Sequence, residues 1–258
     1  MRVVNIPDPQ GSEHKGLLGL YESGFRRFKT LFYALTVIPL YILGCLILGL
    51  SILPGIEAYR FIKWITQNSH WLIQDLGLAV GIAVGFTLYG LTIIFIVPAI
   101  NFILRTSPKP SRGSYYSVAF LPWYIHNTLA YIVRYTFLEF LTPTPFNIMY
   151  FRLMGMKIGK GAHINSTNIS DPALIEIGSY VTIGGSATIC AHYGMDGYLV
   201  LSPVKIGDKV TVGLKASIMG GVTIGEGAKI LPHSVVLPKT VIPPGEVWGG
   251  VPAVKVKG

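Results

Sequence analysis

Between Ile206 and Ile242 an aliphatic residue returns at every sixth position, through Ile206, Val212, Ile218, Ile224, Ile230, Val236 and Ile242. That period matches neither the helical repeat nor the two-residue alternation of a half-buried strand. It fits a coil of short strands joined by corners, in which each aliphatic side chain points into a common prism and a residue tolerant of a left-handed backbone takes each turn. Glycine follows the aliphatic residue in Ile206-Gly207, Val212-Gly213 and Ile224-Gly225. The same signal starts earlier, in Ile158-Gly159, Ile164, Ile177-Gly178, Ile183-Gly184 and Ile189. It fails in two places. The register shifts by one residue between Ile164 and Ile177, and an insertion containing His192 breaks it between Ile189 and Ile206.

The N-terminal half reads differently. Mean hydropathy is +0.53 and only 13% of residues are charged, too apolar for a chain that meets water on all sides, so a membrane-embedded part is expected. Thr30 to Leu53 carries no charge over 24 residues, long enough to cross roughly 30 Å of hydrocarbon, with a kink expected at Pro39. Leu76 to Leu104 is a second such run, within which Gly77, Gly81 and Gly85 recur four apart and form a smooth groove for a neighbouring helix, the first span. Arg26, Arg27 and Lys29 precede the first span, and Arg105, Lys109 and Arg112 follow the second. The connection carries Arg60 and Lys63 against Glu57 and Asp75, so the basic flanks place both ends in the cytoplasm. The formal charge of +9 is absorbed by these flanks, and nucleic acid is not expected as a partner. Residues 1–29 are polar and basic, unlike a cleavable signal peptide.

Glu57 to Asp75 mixes charge with Tyr59, Phe61, Trp64 and Trp71 and is expected to lie along the membrane interface as a helix. Ser107 to Gly113 reads as a linker. Tyr115 to Leu141 is apolar but interrupted by His126, Arg134 and Glu139. It is expected to be an amphipathic helix on the cytoplasmic surface, with a third span as the alternative. The chain thus divides into a cytoplasmic tail (1–29), a two-helix transmembrane hairpin (30–104), a linker with an interfacial helix (105–149) and the coil (150–258). Cys45 and Cys190 lie far apart and suggest no disulfide framework, and no close set of ligand residues at metal spacing is seen, so no metal is expected.

Three features together, the hexad array, the interruption Cys190-Ala191-His192-Tyr193 and the closing Gly249-Gly250-Val251-Pro252-Ala253-Val254-Lys255, resemble the hexapeptide-repeat acyltransferases. The resemblance covers roughly residues 150–258. It implies a left-handed parallel β-helix, a homotrimer and an acyl-coenzyme A donor, acetyl-coenzyme A above all. More narrowly, Arg152-Leu153-Met154-Gly155-Met156-Lys157-Ile158-Gly159 and Asn165-Ser166-Thr167-Asn168-Ile169-Ser170 look like the membrane-tethered β-helix modules of poly-ε-lysine synthetase-type peptide synthetases.

Moving an acyl group from a thioester to a hydroxyl or amine needs a group of near-neutral pKa to take the acceptor proton and donors for the oxyanion. His192 fits by residue type and by its place on a loop over a rigid scaffold. Tyr193 and Asp196 stand close enough in sequence to orient its ring or the acceptor. Asp171 and Asn168 fall at the earlier irregularity and stack beneath the loop, or serve only its corners. Ala216 and Ser234, 18 residues apart, share a corner one rung apart and by resemblance match the small residues that line a pantetheine channel. Gly250 and Pro252 belong to the closing segment, and Lys255 is placed for the donor's phosphates. The expectation is an integral membrane acyltransferase of the plasma or inner membrane, with a cytoplasmic catalytic domain and a small-molecule or lipid-linked acceptor. The alternatives are aminoacyl transfer from a carrier-bound thioester and a trimeric scaffold without chemistry.

Overall fold

The computed structural model describes residues 15–115 and 117–257, so residues 1–14 of the tail lie outside the described residues. Helix α1 (Leu17–Arg27) leads into two long helices, α2 (Lys29–Thr66) and α3 (Trp71–Ile103), which pack as an antiparallel hairpin. The expected interfacial helix does not exist as a separate element. Glu57 to Thr66 continues α2, supported by a Glu57–Arg60 ion pair of 2.7 Å one turn apart, and only the residues from Gln67 to His70 make the turn. The helix also runs through Pro39 and Pro54. The glycine groove meets α2 as the spacing suggested. A Cβ on Gly55 would stand 2.8 Å from the Gly85 carbonyl oxygen, and one on Gly81 would press on Tyr59.

Arg26 departs from its expected place in a basic flank. It is buried in α1 and pairs with Glu22 at 2.5 Å, and Glu22 also accepts a bond from the Val118 amide. The Tyr115–Leu141 region is likewise not a free surface helix. After a strand at Ser111–Ser114, where a linker was expected, α4 (Leu121–Val133) continues into a π-helical turn (Arg134–Leu138). His126, Leu129, Val133 and Leu138 are all within 1% of full burial, because α4 is clamped between the helical hairpin and the coil. Gly90 on α3 leaves the space that the Phe137 ring fills. Helix α5 (Pro145–Leu153), capped by Thr144 with proline at its first position, then delivers the chain to the coil.

The coil has three parallel sheets whose aliphatic residues stack rung upon rung. One side aligns Ile158, Ile177, Ile206, Ile224 and Ile242. The second aligns Ile164, Ile183, Val212, Ile230 and Trp248, and the third Ile169, Ile189, Ile218 and Val236. From Lys209 on, the corners take a positive φ every sixth residue, at Lys209, Lys215, Gly221, Gly227, His233, Lys239 and Gly245. The rungs close tightly enough that a Cβ on Gly213 would meet the Pro232 nitrogen at 2.5 Å.

The insertion is itself ordered. Strands His192–Met195 and Tyr198–Leu201 form a hairpin, and Ser111–Ser114 adds to its outer edge. Asp196 and Gly197 make the turn with φ of 54° and 77°, the left-handed pair that a two-residue hairpin favours. Leu199, Val200 and Leu201 bury its inner strand, and Arg112 lies 4.3 Å over the Tyr198 ring.

Candidate active site

The two irregularities of the repeat meet. The first coil reaches its third side one residue early, at Ile169, and the chain then turns through Asp171 in the left-handed region, φ 62° and ψ 51°, into a short 3-10 turn at Pro172–Leu174. That turn points the Asp171 carboxylate toward the next rung. There Ser170 stands beside Cys190, and the insertion begins. The Asp171 Oδ2 lies 2.6 Å from Nδ1 of His192, with Asp171 fully buried and the His192 side chain 24% exposed. A carboxylate only accepts, so Nδ1 is the donor.

Asp171 is held by more than His192. Its Oδ1 accepts from Trp123 Nε1 at 2.7 Å and from Asn127 Nδ2 at 3.1 Å, both one turn apart on α4. The Trp123 ring also packs edge-on against the imidazole, 5.0 Å between centroids. Burial by itself raises a carboxylate, but the bonds from His192, Asn127 and Trp123 outweigh it and hold Asp171 below its ordinary range. Burial opposes the His192 charge, yet Asp171 and then Cys190 overcome that and push it up to about 10. Cys190 Sγ stands 3.2 Å from Nδ1, 3.4 Å from Nε2 and 3.3 Å from the His192 carbonyl oxygen. A second buried histidine, His126, bonds Asn101 Oδ1 through Nδ1 at 2.8 Å. Burial drives its pKa down to about 4.

The other sequence candidates fall elsewhere. Asn168 sits at a corner, where Arg134 donates to its side chain and its Nδ2 reaches the Ser186 carbonyl. Tyr193 is next to His192 but its ring is buried against Gly220. Asp196 occupies the far end of the hairpin, about 13 Å along the strand from His192, and serves the turn. Ala216 does stack over Ser234, but both are fully buried, so neither lines an open channel in the single chain. The Ser234 hydroxyl donates to the Leu231 carbonyl and accepts from the Gly250 amide. Gly250, at φ 97°, and the exposed Pro252 shape the closing turn. The Lys255 ammonium pairs with Glu246 at 2.7 Å.

Sequence reasoning missed Trp123, Asn127 and Cys190. The first two are set one helical turn apart on α4, but nothing in their spacing links them to a turn more than forty residues on. Cys190 stands two residues before His192 in the interruption, but that spacing does not mark it as a neighbour of the ring. The expectation of no ligand cluster needs correction too. Ligand-type atoms of Asp171, Cys190 and His192 lie within 4.8 Å of one another. The Asp171 oxygens are already committed to three hydrogen bonds, so the cluster reads as an acid–base group first.

A buried carboxylate orienting a histidine on the interruption of a six-residue coil is the arrangement against which likeness can be judged. Residues 203–238 match the bacterial transferase hexapeptide (six repeats). A coil of such repeats fits a left-handed β-helix. YvoF of Bacillus subtilis (strain 168), a protein named among the acetyltransferases, is 29% identical over 140 residues, covering 50% of this chain and 80% of its own. The delta-poly-L-ornithine synthetase of Acinetobacter baumannii (strain AB307-0294) is 24% identical over 168 residues, 65% of this chain but 13% of that protein. A hexapeptide-repeat containing acetyltransferase of Vibrio cholerae, solved with acetyl coenzyme A, is 30% identical with a TM-score of 0.37, covering 40% of this chain and 60% of its own. The repeat and the acetyltransferase-named relatives support an enzyme of acyl transfer.

Proposed function

We propose that the chain is a membrane-anchored acyltransferase that moves an acyl group, acetyl first among them, from acyl-coenzyme A to a hydroxyl or amine. The Asp171–His192 pair carries this reading. It is a proton carrier with a fixed tautomer, set on an ordered hairpin at the one side of the coil where the repeat is broken. His192 takes the acceptor proton through Nε2 while Asp171 holds Nδ1 and stabilises the charge that forms.

The membrane anchor is the hairpin of Val37–Thr66 and Trp71–Ile103. Only 17% and 28% of their most apolar stretches are buried, whereas the core helix of a water-soluble protein is mostly covered. Leu46, Leu50, Leu53, Ile82 and Phe95 each leave half or more of their surface uncovered by protein. Tethering to a bilayer concentrates any acceptor confined to that surface, which favours a lipid-linked acceptor. The basic flank at Arg105 and Lys109 puts the coil on the cytoplasmic side. By likeness to hexapeptide-repeat transferases the working form is a homotrimer, in which a neighbouring coil completes the donor groove around Gly250 and Pro252.

A second reading, aminoacyl transfer from a carrier-bound thioester, is favoured by the similarity to the ornithine synthetase, which extends over 65% of this chain and so beyond the coil. The test uses the full chain in detergent, given acetyl-coenzyme A or an aminoacyl-loaded carrier protein, with thiol release as the readout. Acetyl-dependent release supports the first reading and carrier-dependent release the second. His192→Ala should lower the release on the order of 10²–10⁴-fold with an unchanged circular-dichroism spectrum. Full activity in that variant overturns the assignment of His192.

A further inference from the structure

Neither member of the Asp171–His192 pair belongs to the helical layer, yet α4 touches both. Trp123 Nε1 and Asn127 Nδ2 donate to Asp171 Oδ1 at 2.7 Å and 3.1 Å, and the Trp123 ring lies edge-on to the imidazole with 5.0 Å between centroids. The two donors share one carboxylate oxygen and leave the other, Oδ2, to Nδ1 of His192 at 2.6 Å. The plane of the carboxylate is thereby fixed through both oxygens, and Trp123 also sets the angle between carboxylate and ring. The helix that carries these groups is tied down in its turn. His126 bonds Asn101 near the end of α3 at 2.8 Å, and Leu129 and Val133 are buried. Donors on a helix held in this way are in place before any substrate arrives.

The Asn127 side chain adds a reason. Its Oδ1 is buried and has no partner among the described residues, while its Nδ2 reaches Asp171 and the Trp123 carbonyl. A buried amide with an open acceptor costs stability relative to an apolar side chain of the same shape. Packing alone is served better by leucine, so the amide contributes through its donor. Asp171 is fully buried and needs such donors to stay ionised, since burial alone raises a carboxyl.

We propose that Trp123 and Asn127 are positioning residues for acyl transfer, so that the site is completed by the helical layer and not by the coil alone. This rests on the acyltransferase reading above. Neither residue touches the reacting atoms. Both act through Asp171, whose carboxylate they hold in one orientation, and so through the direction in which His192 presents Nε2. The titratable groups that face Asp171 among the described residues are His192 and Cys190 from the insertion and His126 from α4. His126 titrates at about 4, in the same acid range as Asp171, so a test by pH needs a partner variant that removes the Asp171 charge.

The experiment compares Trp123→Phe, which keeps an aromatic ring, and Asn127→Leu, which keeps the volume, each alone and combined with Asp171→Asn. Thiol release by the full-length protein in detergent is followed with acetyl-coenzyme A or an aminoacyl-loaded carrier protein, whichever wild type uses. The single variants should lower kcat by about tenfold to a hundredfold and leave KM for the thioester donor unchanged. Losing a donor raises the Asp171 carboxyl, so the acid limb of the pH–rate profile should move to higher pH. In the Asp171→Asn background the same substitutions should cost little more, because the group through which they act is already gone. Thr128→Ala, on the same helix, removes a hydroxyl that bonds the Tyr124 carbonyl and should change neither kcat nor the limb. The proposal is overturned by losses that multiply in the double variants, by an equal effect of Thr128→Ala, or by wild-type kcat in both single variants while His192→Ala is inactive. Each of these leaves the acyltransferase reading standing. If wild type releases no thiol from either donor, that reading falls and the positioning role with it.

Discussion

The coil from Ile206 to Ile242 and the stretch from Asn165 to Val204 are built of the same rungs, yet they use them in opposite ways. In the first, every sixth residue is an aliphatic at 2% exposure or less, and every corner takes the same left-handed conformation. Nothing there is titratable and buried. In the second, one side of a coil is short by a residue, a corner becomes a 3-10 turn, and a hairpin leaves the prism. All three members of the Asp171–Cys190–His192 group lie in this second stretch. Regularity supplies rigidity, and its two failures, one rung apart, supply the chemistry.

The largest effect that would break this contrast lies in its regular half. Ile218→Ala empties a fully buried position and should cost about 2–5 kcal/mol of stability by denaturant titration, while transfer per folded molecule stays at the wild-type level. A loss of specific activity without unfolding would mean that the regular rungs take part in the reaction.

Asp171→Asn comes next. It keeps the shape but removes the charge that holds the imidazolium, so transfer should fall about a hundredfold. The limb of the pH–rate profile belonging to His192 should move from near 10 toward the ordinary histidine value of 6.5. Stability should respond as well. His192 has a raised pKa in the fold, so its contribution is complete below 6.5 and is lost as pH climbs through about 10. Asp171 is depressed, so its contribution is complete above the ordinary aspartate value of 3.8 and is lost as pH falls through the lower value it has in the fold. Wild type should therefore lose stability at both extremes, and the variant should lack both slopes. Thermal melts across pH check this, and an unaltered profile would remove the pair from the mechanism.

The smallest expected effect is at Asp196. Its φ of 54° suits glycine, so Asp196→Gly should shift the melting midpoint by less than the equivalent of about 0.5 kcal/mol and leave transfer unchanged. A marked drop in transfer would bring the hairpin tip into the site and sharpen where the irregular half ends.

Local features were legible wherever one residue's role repeats along the chain. The period placed Ile206 through Ile242 in one core, and Gly77, Gly81 and Gly85 marked the face that α2 covers. Legibility failed where a role depended on a partner far along the chain. Arg26 looked like a membrane flank and is an internal ion pair, because Glu22 one turn earlier and the Val118 loop enclose it. Glu57 to Thr66 looked interfacial because composition records what a surface tolerates and cannot mark where a helix stops. Asn168 and Asp171 were equal candidates by position, and only the second turns inward, because a left-handed residue before Pro172 aims its side chain across the rung.

What the sequence determined by itself is the coil and its ruler. A six-residue period repeats the same burial requirement at every rung, so the pattern carries the fold without reference to anything distant. The tertiary structure alone decided the site. Asp171 reaches His192 across 21 residues because the two breaks fall one rung apart on the same side, and Trp123 with Asn127 reaches Asp171 because α4 is clamped between the hairpin and the coil. Each of these contacts depends on where an irregular turn points in space, and no periodicity records that direction.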